Sequence, residues 1–144
     1  MKHNCSLATD CVIFSEEKIV LIKRKNNPFK GQYALPGGFV EPNETVENAC
    51  IREIKEETNL NLKSLALIGV YAKPGRDPRG RVISFAFLAE ADLSTLKAGD
   101  DAKEAKAIKN WKNIAIAFDH KQIIKDAIAL KKVLNKLTTQ KQFV

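Results

Sequence analysis

The sequence predicts an α/β (α+β) domain in which helices pack on both faces of a mixed β-sheet. Three observations carry this expectation. Short, β-branched apolar runs have strand length, a Glu-rich segment without Gly or Pro is long enough for about four helical turns, and the carboxy-terminal stretch repeats apolar residues at helical spacing. At 144 residues the chain is expected to form one domain, residues 1–144. A chain of that size buries about 68–70% of its unfolded surface and needs no disulfide or metal staple.

Residues 8–14 and 18–23 are apolar runs separated by Ser15-Glu16-Glu17, which predicts a hairpin at the start of the fold. Residues 26–38 hold Pro28, Gly31, Pro36, Gly37 and Gly38 and read as loop, apart from a short strand at residues 33–35. A helix is expected over residues 44–58, with Asn43 as its N-cap. Two further strands follow at residues 65–73 and 81–89, joined by a polar connection that contains Asp77-Pro78-Arg79-Gly80-Arg81. Residues 94–104 read as irregular and lead to a short strand at residues 105–109. In the last helix Asp119 is the expected cap, with Gln122 at the capping-box position, and Ile123, Ile124, Ala127, Ile128, Leu134 and Leu137 mark the apolar face.

Composition narrows the class. Hydrophobic residues at 44% and charged residues at 28% match an ordinary globular protein and exclude disordered and collagen-like chains. The longest apolar stretches fall well short of the roughly 20 residues that cross a bilayer, and Met1 to Ser6 do not read as a secretory signal. Three scattered cysteines, Cys5, Cys11 and Cys50, offer neither a disulfide framework nor a CxxC metal site, so a reducing cytoplasm is the expected setting. The formal charge of +7 fits nucleic acid, an anionic surface or a phosphate-bearing small molecule. Its distribution favours the last: residues 36–62 carry six Glu against Arg52 and Lys55, while basic residues cluster at residues 23–25 and 73–81. An acidic segment flanked by basic ones suits a metal and an anionic substrate, with no nucleic acid or membrane partner.

On the expected helix Glu53, Glu56 and Glu57 lie within an arc of about 100°. Like charges at i,i+4 destabilise a helix, so the crowding asks for a cause. The arc shares its side with Val46, Ala49 and Cys50, the small residues expected to face the sheet, which turns the acids into a cleft. Carboxylates gathered in a cleft suit Mg²⁺ or Mn²⁺, which bind one or two of them and complete their shell with water and substrate phosphate. Pro36-Gly37-Gly38, just before the helix, lets backbone approach a ligand closely. The solvated reading of a Glu-rich face remains as the alternative.

Gly38, Glu44, Arg52-Glu53-Ile54, Glu56-Glu57 and Leu60 stand at the spacing of the Nudix box, G-x5-E-x7-R-E-U-x-E-E-x-G-U with U aliphatic, and eight of its nine specified positions match. The departure is Asn59 where the pattern has Gly, and Asn also accepts a left-handed C-cap. The chain thus resembles the Nudix hydrolase family. The resemblance implies a Nudix fold and Mg²⁺-dependent hydrolysis, Mn²⁺ being the other candidate cofactor, of a nucleoside diphosphate linked to another moiety. It implies Glu53, Glu56, Glu57 and the Gly37 carbonyl as metal ligands, Glu44 as their support and Arg52 as the residue that orients the carboxylates.

Pro74, 14 residues past Leu60, together with Gly99-Asp100-Asp101-Ala102-Lys103-Glu104-Ala105 and Ala117-Phe118-Asp119-His120, resembles the ADP-ribose pyrophosphatase branch. On that resemblance the expected substrate is ADP-ribose and the products are AMP and ribose 5-phosphate. The general base would come from the helix or from the loop ending at Glu104. Arg24, Arg79 and Arg81, with Gly38 and Phe39, are the substrate-binding candidates; Arg76 is expected to be solvated, and Tyr33 and Phe39 either stack adenine or pack in the core. His3, His120 and Trp111 are expected to be structural. A MutT-like nucleoside triphosphate pyrophosphohydrolase is the nearest alternative, followed by an ADP-ribose-binding regulator and a basic RNA-binding module. A homodimer is left open.

Overall fold

The computed structural model describes residues 4–99 and 102–141, with the side chains of residues 102–103 and 139–141 left out. His3, Asp100 and Asp101 therefore lie outside the described residues. The first two strands, β1 (Ser6–Ser15) and β2 (Lys18–Arg24), form the expected hairpin, with Phe14 opposite Ile19. Then come β3 (Tyr33–Ala34), β4 (Gly37–Phe39), helix α1 (Val46–Thr58), β5 (Leu62–Tyr71), β6 (Val82–Ala91), β7 (Ala102–Ile108) and helix α2 (His120–Lys141). The sheet runs β3-β2-β1-β6-β5, with β4 on β1 and β7 on β2. Only the β1–β6 pair among the named strands is parallel, from Ser6 opposite Val82 to Phe14 opposite Glu90, so the sheet is mixed as expected.

Alternation along β1 sets the two layers, because successive side chains leave a strand on opposite faces. Cys11 and Ile13 pack with Cys50 and Ile54 of α1, whereas Val12 and Phe14 pack with Ile123, Ile124 and Ala127 of α2. The sheet is sandwiched between one helix on each face. Trp111 is buried in the α2 layer, in keeping with a packing role.

Several local expectations need correction. The cap of α1 is Thr45, not Asn43: its backbone is extended and its Oγ1 accepts the Asn48 N–H at 3.1 Å. Asn43 sits instead in the turn where the Glu44 N–H meets the Glu41 carbonyl, so the helix starts at Val46. Asn59 does take the left-handed conformation at φ 61°, with its N–H on the Lys55 carbonyl. The Gly-rich stretch read as loop contains β4, which pairs with β1 through Ala8–Phe39, Thr9–Gly38 and Asp10–Gly37, and β7 begins at Ala102 inside the segment read as irregular. The Asp119–Gln122 capping box does not form, because Arg76 takes the Asp119 carboxylate and the Gln122 amide donates to Asp126. Leu134 and Leu137 on the far half of α2 are exposed.

Candidate active site

One cleft of about 490 Å³ opens between α1 and the β2–β4 end of the sheet, continuing into a recess of about 110 Å³. The cleft and recess share Gly37, Gly38, Phe39, Glu57, Arg24 and Arg79. The geometry starts at β4. Asp10–Gly37 and Ala8–Phe39 alternate with Thr9–Gly38 in the antiparallel ladder. The Cys11 N–H bonds the Pro36 carbonyl and the Val40 N–H bonds the Leu7 carbonyl, which makes Thr9–Gly38 the hydrogen-bonded pair and turns the polar groups of Gly37 and Phe39 away from β1. They meet α1: the Gly37 N–H donates to Glu57 Oε1 at 2.8 Å, and the Phe39 carbonyl accepts from Arg52 at 3.1 Å. A side chain at Gly37 would meet backbone, and one at Gly38 would meet the tip of the Glu53 side chain. A Cβ at Gly37 would lie 2.0 Å from the Thr9 carbonyl oxygen, and one at Gly38 would lie 2.3 Å from Glu53 Cδ.

Arg52 is the hub of the acidic wall. Its Nε and Nη2 hold Glu44 in a bidentate pair at 3.0 and 2.6 Å, and its Nη1 donates to Glu53 at 2.9 Å and to Glu56 at 3.2 Å. Hydrogen bonds from Arg52, then from the Glu41 N–H, pull the Glu44 carboxyl down to about 2. Its bond to Glu44 and its contacts with Glu53 hold the Arg52 guanidinium above its ordinary value against the effect of burial. Glu53 and Glu57, one helical turn apart, line the cleft, and Glu57 is buried. The Glu56 side chain stays 56% exposed at the rim, tied to Arg52. Among the described residues no three acid, imidazole or thiol side chains close a metal cage. Glu53 against Gly38 and Glu57 on the Gly37 N–H are nonetheless a donor set that fits a hard cation completing its shell from substrate and water.

The opposite wall is basic. Arg24 and Arg79 line both compartments, and their guanidiniums lie 5.0 and 5.6 Å from the centre of the Phe118 ring, with Arg79 also 5.1 Å from that of Phe39. The recess floor consists of residues that sequence reasoning missed. Asp10 Oδ2 accepts from the Ser84 hydroxyl at 2.5 Å, and His120 Nε2 lies 3.3 Å from Asp10 Oδ1. Because His120 Nδ1 accepts the Leu35 N–H at 3.0 Å, a neutral ring carries its proton on Nε2, facing Asp10. Burial pushes the His120 pKa down, with the Asp10 charge opposing. Arg76, expected to be solvated, is instead buried and pairs with Asp119 at 2.7 and 2.9 Å. Polar turn residues read alike from sequence whether they face water or a partner. The detectable signal for this floor was Asp10, a lone carboxylate inside an apolar strand.

Three candidates lie elsewhere. Arg81 donates to the Ala72 carbonyl and lines neither compartment. Glu104 accepts the Tyr33 hydroxyl at 3.0 Å and pairs with Lys106, so neither Glu104 nor Tyr33 faces the cleft.

Comparison with known proteins agrees with this architecture. The NUDIX domain model matches residues 6–136. An ADP-ribose pyrophosphatase of Methanocaldococcus jannaschii is 56% identical over 126 residues, 88% of this chain and 75% of that protein. The NUDIX domain of Shewanella oneidensis NrtR, solved with ADP ribose, superposes with a TM-score of 0.82 at 25% identity, covering 89% of each chain. A bifunctional NMN adenylyltransferase/ADP ribose pyrophosphatase of Francisella tularensis gives a TM-score of 0.79 at 34% identity over 88% of this chain, which spans 41% of that one. The glycine-backed carboxylates of α1 and the sandwich that carries them place this chain in the NUDIX domain family, as a hydrolase of diphosphate bonds.

Proposed function

We propose that this chain is a divalent-metal-dependent pyrophosphohydrolase that converts ADP-ribose to AMP and ribose 5-phosphate. The observation that carries the reading is the division of one cleft into a carboxylate wall, Glu53 and Glu57, and a guanidinium wall, Arg24 and Arg79, a geometry that suits a diphosphate bridging the two. The similarity to an ADP-ribose pyrophosphatase over 88% of the chain supports ADP-ribose as that diphosphate. Glu53, Glu57 and the Gly37 carbonyl would hold Mg²⁺, or Mn²⁺ in its place, with Glu56 at the rim. When bound, the ion would supply neutralisation of phosphate charge and a lower pKa for the attacking water. Arg52 keeps the carboxylates aimed, and Arg24 and Arg79 bind phosphate oxygens through charge-assisted hydrogen bonds. Glu104 is engaged with Tyr33 outside the cleft, which favours α1 as the source of the base. The reading includes a cytoplasmic setting, supported by the unpaired Cys5, Cys11 and Cys50. It also takes a small-molecule substrate, with no nucleic acid or membrane partner; sedimentation velocity distinguishes a monomer from a homodimer.

The test offers ADP-ribose and a panel of ordinary and oxidised nucleoside triphosphates with Mg²⁺. AMP and ribose 5-phosphate are expected as the dominant products. Preferential release of pyrophosphate from a triphosphate would replace this reading with the MutT-like one.

A further inference from the structure

The Asp77-Pro78-Arg79-Gly80 turn between β5 and β6 carries a carboxylate whose burial a surface turn does not need: the Asp77 side chain is 3% exposed. Its Oδ1 accepts the Arg79 backbone N–H at 2.9 Å, which closes the turn. The same carboxylate also receives the Arg79 guanidinium, Nε on Oδ1 at 3.1 Å and Nη2 on Oδ2 at 2.7 Å. Burial alone would raise the Asp77 pKa, but the bonds from Arg79 outweigh it and hold the carboxyl below its ordinary value. The ion pair stands Arg79 upright between the Phe39 and Phe118 rings and next to Arg24, whose own Nε is spent on the Pro28 carbonyl at 2.6 Å. Two guanidiniums brought together in this way repel, and Arg24 is pulled below its ordinary pKa first by burial and then by the Arg79 charge. Among the described residues, Arg79 Nη1 and both Arg24 Nη atoms have no protein acceptor within hydrogen-bond reach, in a cleft faced by Glu57.

We propose that Asp77 is a positioning residue for phosphate recognition: it fixes Arg79 beside Arg24 so that the two guanidiniums form one anion fork for the diphosphate of the substrate. This rests on the cleft being a diphosphate site and deepens that reading, but does not depend on which nucleoside the substrate carries. Asn at position 77 separates this role from turn closure. Its single carbonyl oxygen still accepts the Arg79 N–H, while its amide nitrogen presents hydrogens to Nη2 where Oδ2 presented lone pairs.

The experiment is calorimetric titration of the full chain with inorganic pyrophosphate in saturating Mg²⁺, for the parent, Asp77→Asn, Arg79→Ala and the double variant. Each single variant is expected to raise Kd about tenfold or more, the range of one hydrogen bond to a charged group. The double variant should bind no more weakly than Arg79→Ala, because Asp77 acts only through Arg79. Arg79→Lys keeps the charge without the two-point pairing and should bind as weakly as Asp77→Asn, which maintains the test if position 77 does not tolerate Asn. The proposal falls if the parent does not bind pyrophosphate, if Asp77→Asn stays within twofold of the parent, if Arg79→Lys binds like the parent, or if Asp77→Asn costs the same factor in the Arg79→Ala background. A chain that prefers a triphosphate to ADP-ribose would still show the Asp77 dependence, so the two failures are distinguishable.

Discussion

Replacing Gly38 by Ala should cut activity sharply while leaving the fold, and the structure sets the scale. An added Cβ would lie 2.3 Å from Glu53 Cδ and 2.5 Å from each of its oxygens. Ordinary contact begins at 3.4 Å, so the carboxylate must retreat by 3.4 − 2.5 = 0.9 to 3.4 − 2.3 = 1.1 Å. The obstacle is the tip of a flexible side chain, so the fold can yield there at small cost. Gly38 lies in strand β4, where Ala fits the backbone, and fewer unfolded conformations repay about 0.4–1 kcal/mol. Misplacing a catalytic group by about 1 Å costs roughly 100-fold in rate. Gly38→Ala should therefore show kcat/KM for ADP-ribose about 100-fold below the parent, with Tm within about 4 °C, the shift that 1 kcal/mol gives at this size. Gly37→Ala is the control, because its Cβ would meet backbone, 2.0 Å from the Thr9 oxygen and 2.9 Å from Asp10 Cα. It must part β4 from β1 and should cost about 1–3 kcal/mol or more, read as a Tm fall of several degrees. Initial rates and thermal melts of both variants decide the matter. A Gly38→Ala enzyme within threefold of the parent, or one as unstable as Gly37→Ala, refutes the reasoning.

Other expectations follow from the hydrogen-bond network. Arg52→Lys replaces a fork that holds Glu44, Glu53 and Glu56 by a point charge and should lower kcat/KM by about 10–100-fold; undiminished turnover would show that Arg52 does not aim the carboxylates. Glu44 titrates near 2 in the fold against an ordinary 4.5. A depressed pKa gives stability that is present above about 4.5 and lost as pH falls through about 2, so the Tm advantage of the parent over Glu44→Gln should shrink across that window; a constant gap would refute the pairing. His120 is shifted the other way from a partnered histidine: burial lowers it below 6.5, so its contribution is present above 6.5 and lost as the pH drops through the lower folded value. Its imidazole resonances should titrate with a midpoint below 6.5, with the neutral ring protonated on Nε2. A higher midpoint would mean that the Asp10 charge outweighs burial.

The parts of the fold legible in sequence are those set by neighbours along the chain. The apolar runs of β1 and β2, the helical spacing of Ile123, Ile124 and Ala127, and the left-handed Asn59 cap are all local. The acidic wall was legible for the same reason, since Glu53, Glu56 and Glu57 fall within one arc of the helix and Arg52 stands one turn before Glu56. β4 escaped because Gly37-Gly38 reads as loop until β1 lies beside it. Thr45 and Asn43 are both cap-forming residues two positions apart, and only the Glu44 turn decides between them. Apart from the lone Asp10 carboxylate, the recess floor was illegible because its members come from β1, β6, the β5–β6 turn and the start of α2. Phe118, which meets both cleft arginines, holds φ 55°, a conformation no sequence signal announced.

The parallel pairing of β1 with β6 also has a temporal side. Ser6 pairs with Val82, 82 − 6 = 76 residues later, and the whole carboxylate helix lies between them. On a ribosome adding about 5–20 residues per second, β1 waits roughly 4–15 seconds for its central neighbour to be synthesised. Through that interval its apolar residues, buried in the finished fold, have only the β2 hairpin and the β4–α1 segment for cover. Such long-range pairing is intrinsically slow, so the β6-facing edge of β1 is among the last to be covered, and a nascent chain that stalls before residue 82 leaves that edge open.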